Sequence, residues 1–276
     1  MTSRTEHIPT NEITLATALD GDGPAVLLVH GFPHTRELWN RVVPDLARSR
    51  RTIAPDLRGI GGSTRAALGY DAANLADDLL GLLDALDVES ASVVAIDAGV
   101  PAAFVLGLQR PDRVRSLVLM ESTIGTLPGA EDFFRAGAPW WFGFHQVPGL
   151  AETVLAGHEG EYLDFFYRAG TDDHAGLPAD VRDAFVAAYT GPDALRCGFE
   201  YYRAMATTSA QISALTTRLR LQPPTLAIGS QPVGDALARQ LEPLTDDLHR
   251  AQLDHCGHII PLDRPHDLCR LLRGFV

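Results

Sequence analysis

The stretch Val93-Val94-Ala95-Ile96-Asp97-Ala98-Gly99 constrains the fold more than any other. Four apolar residues read as a strand covered on both faces, and the run stops on a carboxylate whose neighbours Ala95, Ala98 and Gly99 are all small. A strand that turns abruptly into a helix has no room for larger side chains beside the turn. Such a turn pushes the side chain of Asp97 out above the sheet edge. Residues 100–110 follow with helical spacing of Ala103, Phe104, Leu106 and Gly107, and Pro101 is tolerated in a first helical turn. Taken alone, the heptapeptide also fits an ordinary strand–helix junction in which Asp97 caps the helix. Its context must decide.

The rest of the chain supplies that context. Residues 13–18 alternate like an edge strand, and Asp20-Gly21-Asp22-Gly23-Pro24 is a turn. Residues 25–30 are a continuous apolar run, as a parallel strand requires. His30-Gly31-Phe32-Pro33 follows, where glycine permits close backbone approach and proline makes a cis bond inexpensive. Periodicity predicts a helix over 37–46, a strand over 51–55, an amphipathic helix over 71–86 and strands over 92–96 and 114–120. The loop Asp56-Leu57-Arg58-Gly59-Ile60-Gly61-Gly62-Ser63 lacks the spacing of a phosphate cradle. Strands alternating with helices in this way specify a doubly wound, mostly parallel sheet, whose ligands sit beyond the carboxyl ends of its strands. Phe32, Asp97 and Glu121 all fall at such ends.

From 122 to 221 the alternation stops, and helical stretches hold 15 of the chain's 20 aromatic residues. That concentration marks an inserted helical lid, most of whose aromatics must pack its own small core. The alternation resumes with strands over 225–228 and 248–253, a helix from Gly234, and a last helix over 265–275. A chain of 276 residues is long for one domain and short for two. The expected organisation is therefore a core of residues 1–121 and 222–276, with a lid of residues 122–221.

Composition narrows the function classes. A net charge of −12 argues against nucleic acid or an anionic membrane as partner, and no apolar run is long enough to span a bilayer. Residues 1–14 lack the order of a signal peptide. Three cysteines, Cys197, Cys256 and Cys269, lie far from any CxxC spacing, and an odd number suits a reducing cytoplasm. All 23 basic residues are arginine, a bias expected of a GC-rich bacterial genome.

With HGFP at 30–33, DLRGIGGS at 56–63, the aspartate turn at 97, the aromatic lid and Cys256-Gly257-His258 in this order, the chain resembles the epoxide hydrolases of the α/β-hydrolase superfamily. The lid phrases Gln146–Glu152 (QVPGLAE) and Phe199–Arg203 (FEYYR) are similar to that family too. The resemblance implies Asp97 as nucleophile, His258 as base, and the backbone N–H groups of Phe32 and Ala98 as the oxyanion hole. The acid has two candidates. The loop after the 225–228 strand, its usual place, begins Gly229-Ser230-Gln231-Pro232 without a carboxylate, and Asp235 comes later; Glu121, 24 residues beyond Asp97, is the alternative site and is preferred. His255 and His266 read as surface histidines.

The family opens its substrate with two lid donors, a Tyr or His and a Tyr that precedes an Arg. Tyr202 precedes Arg203, but the first position falls on Trp141, preceded by Trp140. An indole can donate a hydrogen bond without usefully giving up its proton, so Tyr202 or water would supply the proton. Trp140, Phe32 and Tyr201 are expected against the substrate. The twin Trp also resembles epoxide hydrolases that act on aromatic polyketides in actinomycetes. No cofactor and no metal are implied, only a small-molecule substrate, with the chain a monomer or homodimer. The enzymatic alternative is a dehalogenase with the same nucleophile. Haloalkane dehalogenases, however, carry Trp where this chain has Ala98, and haloacid-type relatives carry arginines where it has Ala98, Pro101 and Ala102. The non-enzymatic alternative is a small-molecule-binding homologue.

Overall fold

A computed structural model describes residues 4–276. At its centre the apolar run ending at Asp97 forms a strand, β5 (Ala91–Ile96), every residue of which is buried. Around it lie β1 (Arg4–Thr10), β2 (Ile13–Asp20), β3 (Ala25–Val29), β4 (Arg51–Pro55), β6 (Val114–Met120), β7 (Thr225–Gly229) and β8 (Leu248–Gln252). They make one eight-stranded sheet in the order β1-β2-β4-β3-β5-β6-β7-β8. The strands from β4 to β8 in that order run parallel, while β1 and β2 are antiparallel. The apolar runs of β3, of Val93–Ile96 in β5 and of Leu117–Met120 in β6 follow from this position, because strands in mid-sheet are covered on both faces.

Among the described residues twelve α-helices accompany the sheet: α1 (Val43–Leu46), α2 (Ala72–Ala85), α3 (Val100–Gln109), α4 (Trp140–Gln146), α5 (Leu150–Leu155), α6 (Glu159–Ala169), α7 (Ala179–Tyr189), α8 (Pro192–Arg203), α9 (Met205–Thr216), α10 (Ala236–Leu241), α11 (Ile260–Asp263) and α12 (Pro265–Arg273). Helices α2 and α3 pack with β1, β2 and β5 in one core layer, built on Leu79, Leu82, Phe104 and Leu106. The other layer holds Val26, Leu28, Trp39, Ile96 and Met120 together with Tyr167, Phe185 and Phe199 of the α4–α9 region, so that region shares a core with the sheet.

The structure departs from the sequence reading at several points, each for a local reason. Residues 13–20 are not the edge strand, because Arg4–Thr10 pairs outside them through a hairpin at Asn11-Glu12. Both turn residues have positive φ, 21° and 64°, without the Asn-Gly signal that would have announced it. The helix expected over 37–46 is broken into a short 3-10 turn, Arg36–Trp39, and α1. Pro44 lacks the N–H that a helix interior needs and instead opens α1. The last helix, α12, starts at Pro265 as expected and stops at Arg273, two residues short, and the short α11 before it was not expected. The first α-helix of the 122–221 stretch begins only at Trp140. Phe32-Pro33 is cis, as is Gln231-Pro232.

Candidate active site

The turn after β5 places Asp97 in a conformation few side chains adopt, with φ of 54°. Gly99 is needed because a Cβ there would come within 2.5 Å of the His30 carbonyl oxygen. Gly31 is needed for the same kind of reason: its Cβ would run into the Asp97 carboxylate. The close approach lets the Phe32 N–H donate to Asp97 Oδ1 at 2.7 Å, and the nearby Ala98 N–H also favours the ionised carboxylate. His30 steadies the approach. Its Nε2 accepts from the Leu57 N–H at 3.0 Å, which leaves Nδ1 as the donor to the Gly31 carbonyl at 2.9 Å. Burial lowers its pKa, so the ring stays neutral. The 56–63 loop is a brace. Buried Asp56 accepts from the N–H of Arg36 at 2.9 Å and of Gly62 at 3.0 Å, and Arg58 clasps Asp78 with two bonds of 2.8 and 2.7 Å.

His258, beyond β8, touches two carboxylates. Its Nε2 lies 3.2 Å from Asp97 Oδ2 and its Nδ1 3.2 Å from Glu121 Oε2. Glu121 is fully buried just after β6, again with positive φ, 42°, and accepts from the Ser230 N–H at 2.7 Å. Burial pushes the His258 pKa down, but hydrogen bonds and charges from Asp97 and Glu121 outweigh it and raise the value to about 10. Burial acts to raise the Asp97 pKa, and the His258 contact with the backbone donor overcomes it, so the carboxylate ionises more readily than usual. Both shifts favour an imidazolium beside the Asp97 carboxylate. Asp235 has no part in this: its side chain is 67% exposed and pairs with Arg239 one helical turn on.

Residues 24–265 match the family described as "alpha/beta hydrolase fold". The chain belongs to this family. The α/β-hydrolase is 24% identical over 262 residues to a protein named soluble epoxide hydrolase from Corynebacterium sp. strain C12, covering 89% of this chain and 87% of that one. It is 28% identical over 285 residues to a fluoroacetate dehalogenase from Burkholderia sp., covering 98% and 92%. Among solved structures, that of Cfl2 from Burkholderia cenocepacia superposes with a TM-score of 0.88 at 31% identity, covering 99% of this chain and 94% of that one. The α/β-hydrolase is a hydrolase with epoxide hydrolase-like relatives.

In this α/β-hydrolase two cavities of about 160 and about 120 Å³ meet at Asp97. Tyr202, Phe142, Ser122 and Thr123 line both. Trp141 lines the larger one, with Glu121 and His258. The Phe32 ring packs edge-on against Tyr202 and Phe166, at 5.3 and 5.7 Å. Burial, then the charge of Asp97, raises the Tyr202 pKa well above its ordinary value, which keeps the phenol a donor. Trp140 stands apart from its expected place: it is 55% exposed, lines neither cavity and packs on Phe165 and Tyr162. Adjacent residues of a helix point about 100° apart, and here that turn carries Trp140 outside the cavity that Trp141 lines. Tyr201 walls the smaller cavity, but its hydroxyl is taken by the Arg58 carbonyl at 2.8 Å.

Residues that the sequence reading passed over also stand at the site. Ser122 donates to the Asp97 carbonyl at 2.9 Å and so pins the turn. His34 is wholly buried among the cavity walls with neither ring nitrogen partnered, and burial drives its pKa down to about 3. His145 is buried against Tyr202 and Phe199, with Nε2 on the Tyr162 hydroxyl. Nothing in the spacing of these residues announces them; they follow in chain order from elements that only the fold brings together. Among the described residues no three His, Cys, Asp or Glu side chains cluster as metal ligands, and no helix is long and apolar enough to cross a membrane. Cys197, Cys256 and Cys269 are free and buried.

Proposed function

We propose that this protein hydrolyses an epoxide to a vicinal diol through a covalent ester on Asp97, with an apolar or aromatic, polyketide-like substrate as the best fit to the cavity walls. The observation that carries the reading is His258, 3.2 Å from Asp97 with one ring nitrogen and 3.2 Å from buried Glu121 with the other. Asp97 Oδ2 attacks one epoxide carbon while the Phe32 and Ala98 N–H groups hold the other oxygen; the ring C–O bond breaks, and the alkoxide takes a proton delivered by Tyr202, with Trp141 as a second donor. Splitting the reaction at a covalent intermediate replaces one hard step by two easier ones.

Ester formation also prepares the second step. It removes the Asp97 charge, one of the influences that hold His258 protonated. The proton His258 then loses returns to the Tyr202 phenolate, replacing the one the alkoxide took. Neutral His258, steadied by Glu121, takes a proton from water as the water attacks the ester carbonyl. The tetrahedral oxyanion is held by the same two N–H groups, each typically contributing about 3 kcal/mol or more. Collapse releases the diol, protonated by His258, and the Asp97 carboxylic acid then gives its proton to His258, restoring the starting pair. In a single turnover in 18O-water the diol should carry unlabelled oxygen and the Asp97 carboxylate should carry label. Label entering the diol directly in that turnover would reject the ester.

A dehalogenase is the second reading, favoured by the likeness to a fluoroacetate dehalogenase and by Trp141 in the cavity wall. Against it, neither cavity is lined by an arginine to hold a haloacid carboxylate. Fluoride or chloride release from haloacids, compared with diol formation from epoxides, separates the two.

A further inference from the structure

Granted the epoxide-opening reading, we infer that the substrate is a neutral internal epoxide, with an aryl group on one ring carbon and a flexible aliphatic chain on the other, and that Met205 sets the chain it accepts. Asp97 does not end a blind pocket. It stands where two cavities meet, and beyond the shared residues their walls differ in kind. The His258 arm is aromatic: Trp141, Phe165, Phe166 and Phe133 line it, offering ring faces and edges to a planar group. The other arm is lined by Leu75, Pro101, Met205 and Thr208, with the two phenols Tyr70 and Tyr201 as its own aromatics. Unbranched Met adapts to a flexible chain better than to a fixed plane.

The second arm continues outward. Pro101, Thr123, Phe142, Met205 and Thr208 also line a third cavity, of about 580 Å³, which runs past Leu127, Pro128 and Ala138 to exposed residues. A substituent in this arm therefore has room to lengthen past Met205, whereas a terminal epoxide would leave one arm empty. Charge decides the end group. The charged side chains on these three walls are the carboxylates of Asp97, Glu121 and Glu131 and the imidazole of His258. His258 is already shared between two carboxylates, so a substrate carboxylate would find no free cation and would face like charge.

The test is a kcat/KM series with the full-length protein on styrene oxide, trans-β-methyl-, β-butyl- and β-octylstyrene oxides, and an ω-carboxyl analogue paired with its methyl ester. The inference requires a rise of at least about tenfold from styrene oxide to the butyl compound, in keeping with what a few methylenes contribute in an apolar pocket. It also requires the free acid to be at least about tenfold poorer than its ester. Met205→Trp, with Met205→Phe as a milder second variant and melting curves for both, should narrow the butyl-to-styrene-oxide ratio by about tenfold. Turnover of every epoxide with a flat chain-length profile, or equal use of acid and ester, overturns the inference and leaves epoxide opening standing. A Met205→Trp or Met205→Phe protein that folds and keeps the wild-type ratio overturns the role of Met205. No turnover of any epoxide in the series overturns both readings together.

Discussion

At Asp97 a φ of 54° costs on the order of 1–2 kcal/mol for a residue with a Cβ, and Glu121 carries the same kind of strain at 42°. Two strained carboxylates flanking one histidine assign separate duties, and variants should separate them. His258→Gln should leave ester formation intact and stall its hydrolysis, so that intact-mass spectra show protein plus substrate. Glu121→Gln should slow the same step, whereas Asp235→Asn, on an exposed side chain paired with Arg239, should leave it near the wild-type rate. The reverse ranking would move the acid to Asp235. The lid donors are tested in the first step. Tyr202→Phe should slow ester formation by about 10²-fold or more, as loss of one preorganised donor does. Trp141→Phe, which keeps the ring's bulk without the N–H, should cost a similar factor if the indole donates, with partial recovery in Trp141→Tyr. An unchanged rate of ester formation would make Trp141 a packing residue.

Among the elements, α4, α5 and α8 matter most, because Trp141 and Tyr202 ride on α4 and α8. Arg203 ties them: it donates to Glu152 of α5 at 2.7 Å, to Glu200 at 2.9 Å and to the Val147 carbonyl at 3.3 Å. The Arg203 and Glu152 side chains are only 12% and 9% exposed, so breaking the pair leaves charge nearly buried. Glu152→Gln should cost about 3 kcal/mol of stability, the lower end for a broken buried pair because Glu200 stays in place. The measurement is urea unfolding. Since Tyr202 precedes Arg203, the same variant should slow ester formation more than ester hydrolysis; equal slowing of both would mean that the clamp does not position Tyr202.

For the whole molecule, the site couples its charge state to folding. His258 has a pKa of about 10 in the folded chain against about 6.5 for a free side chain. A raised histidine pKa means that the folded state binds the proton more tightly. That contribution is complete below about pH 6.5 and is lost as pH climbs through about 10. Unfolding free energies measured by urea between pH 6 and pH 10 should therefore fall, and His258→Gln should flatten the fall over that window. A wild-type profile that stays flat or rises would show that the imidazolium is not held between the two carboxylates in solution.

What the sequence determined by itself was local and periodic. The apolar runs of β3, β5 and β6 specified a parallel sheet because only strands covered on both faces dispense with polar alternation. Small residues around Asp97 specified the sharp turn because steric exclusion acts between chain neighbours. Tertiary structure decided what depends on distance across the sheet. It set Glu121 rather than Asp235 beside His258, since β6 lies next to β5 while α10 turns Asp235 to solvent. It turned Trp140 outward and Trp141 toward the cavity, a choice of helix face that a run of aromatics on every side of α4 leaves undecided. It placed His34 and His145 inside, where burial above all lowers their pKa and keeps the rings neutral. Sheet order and helix facing are global packing outcomes, settled by which apolar surfaces meet, and no local spacing along the chain encodes them.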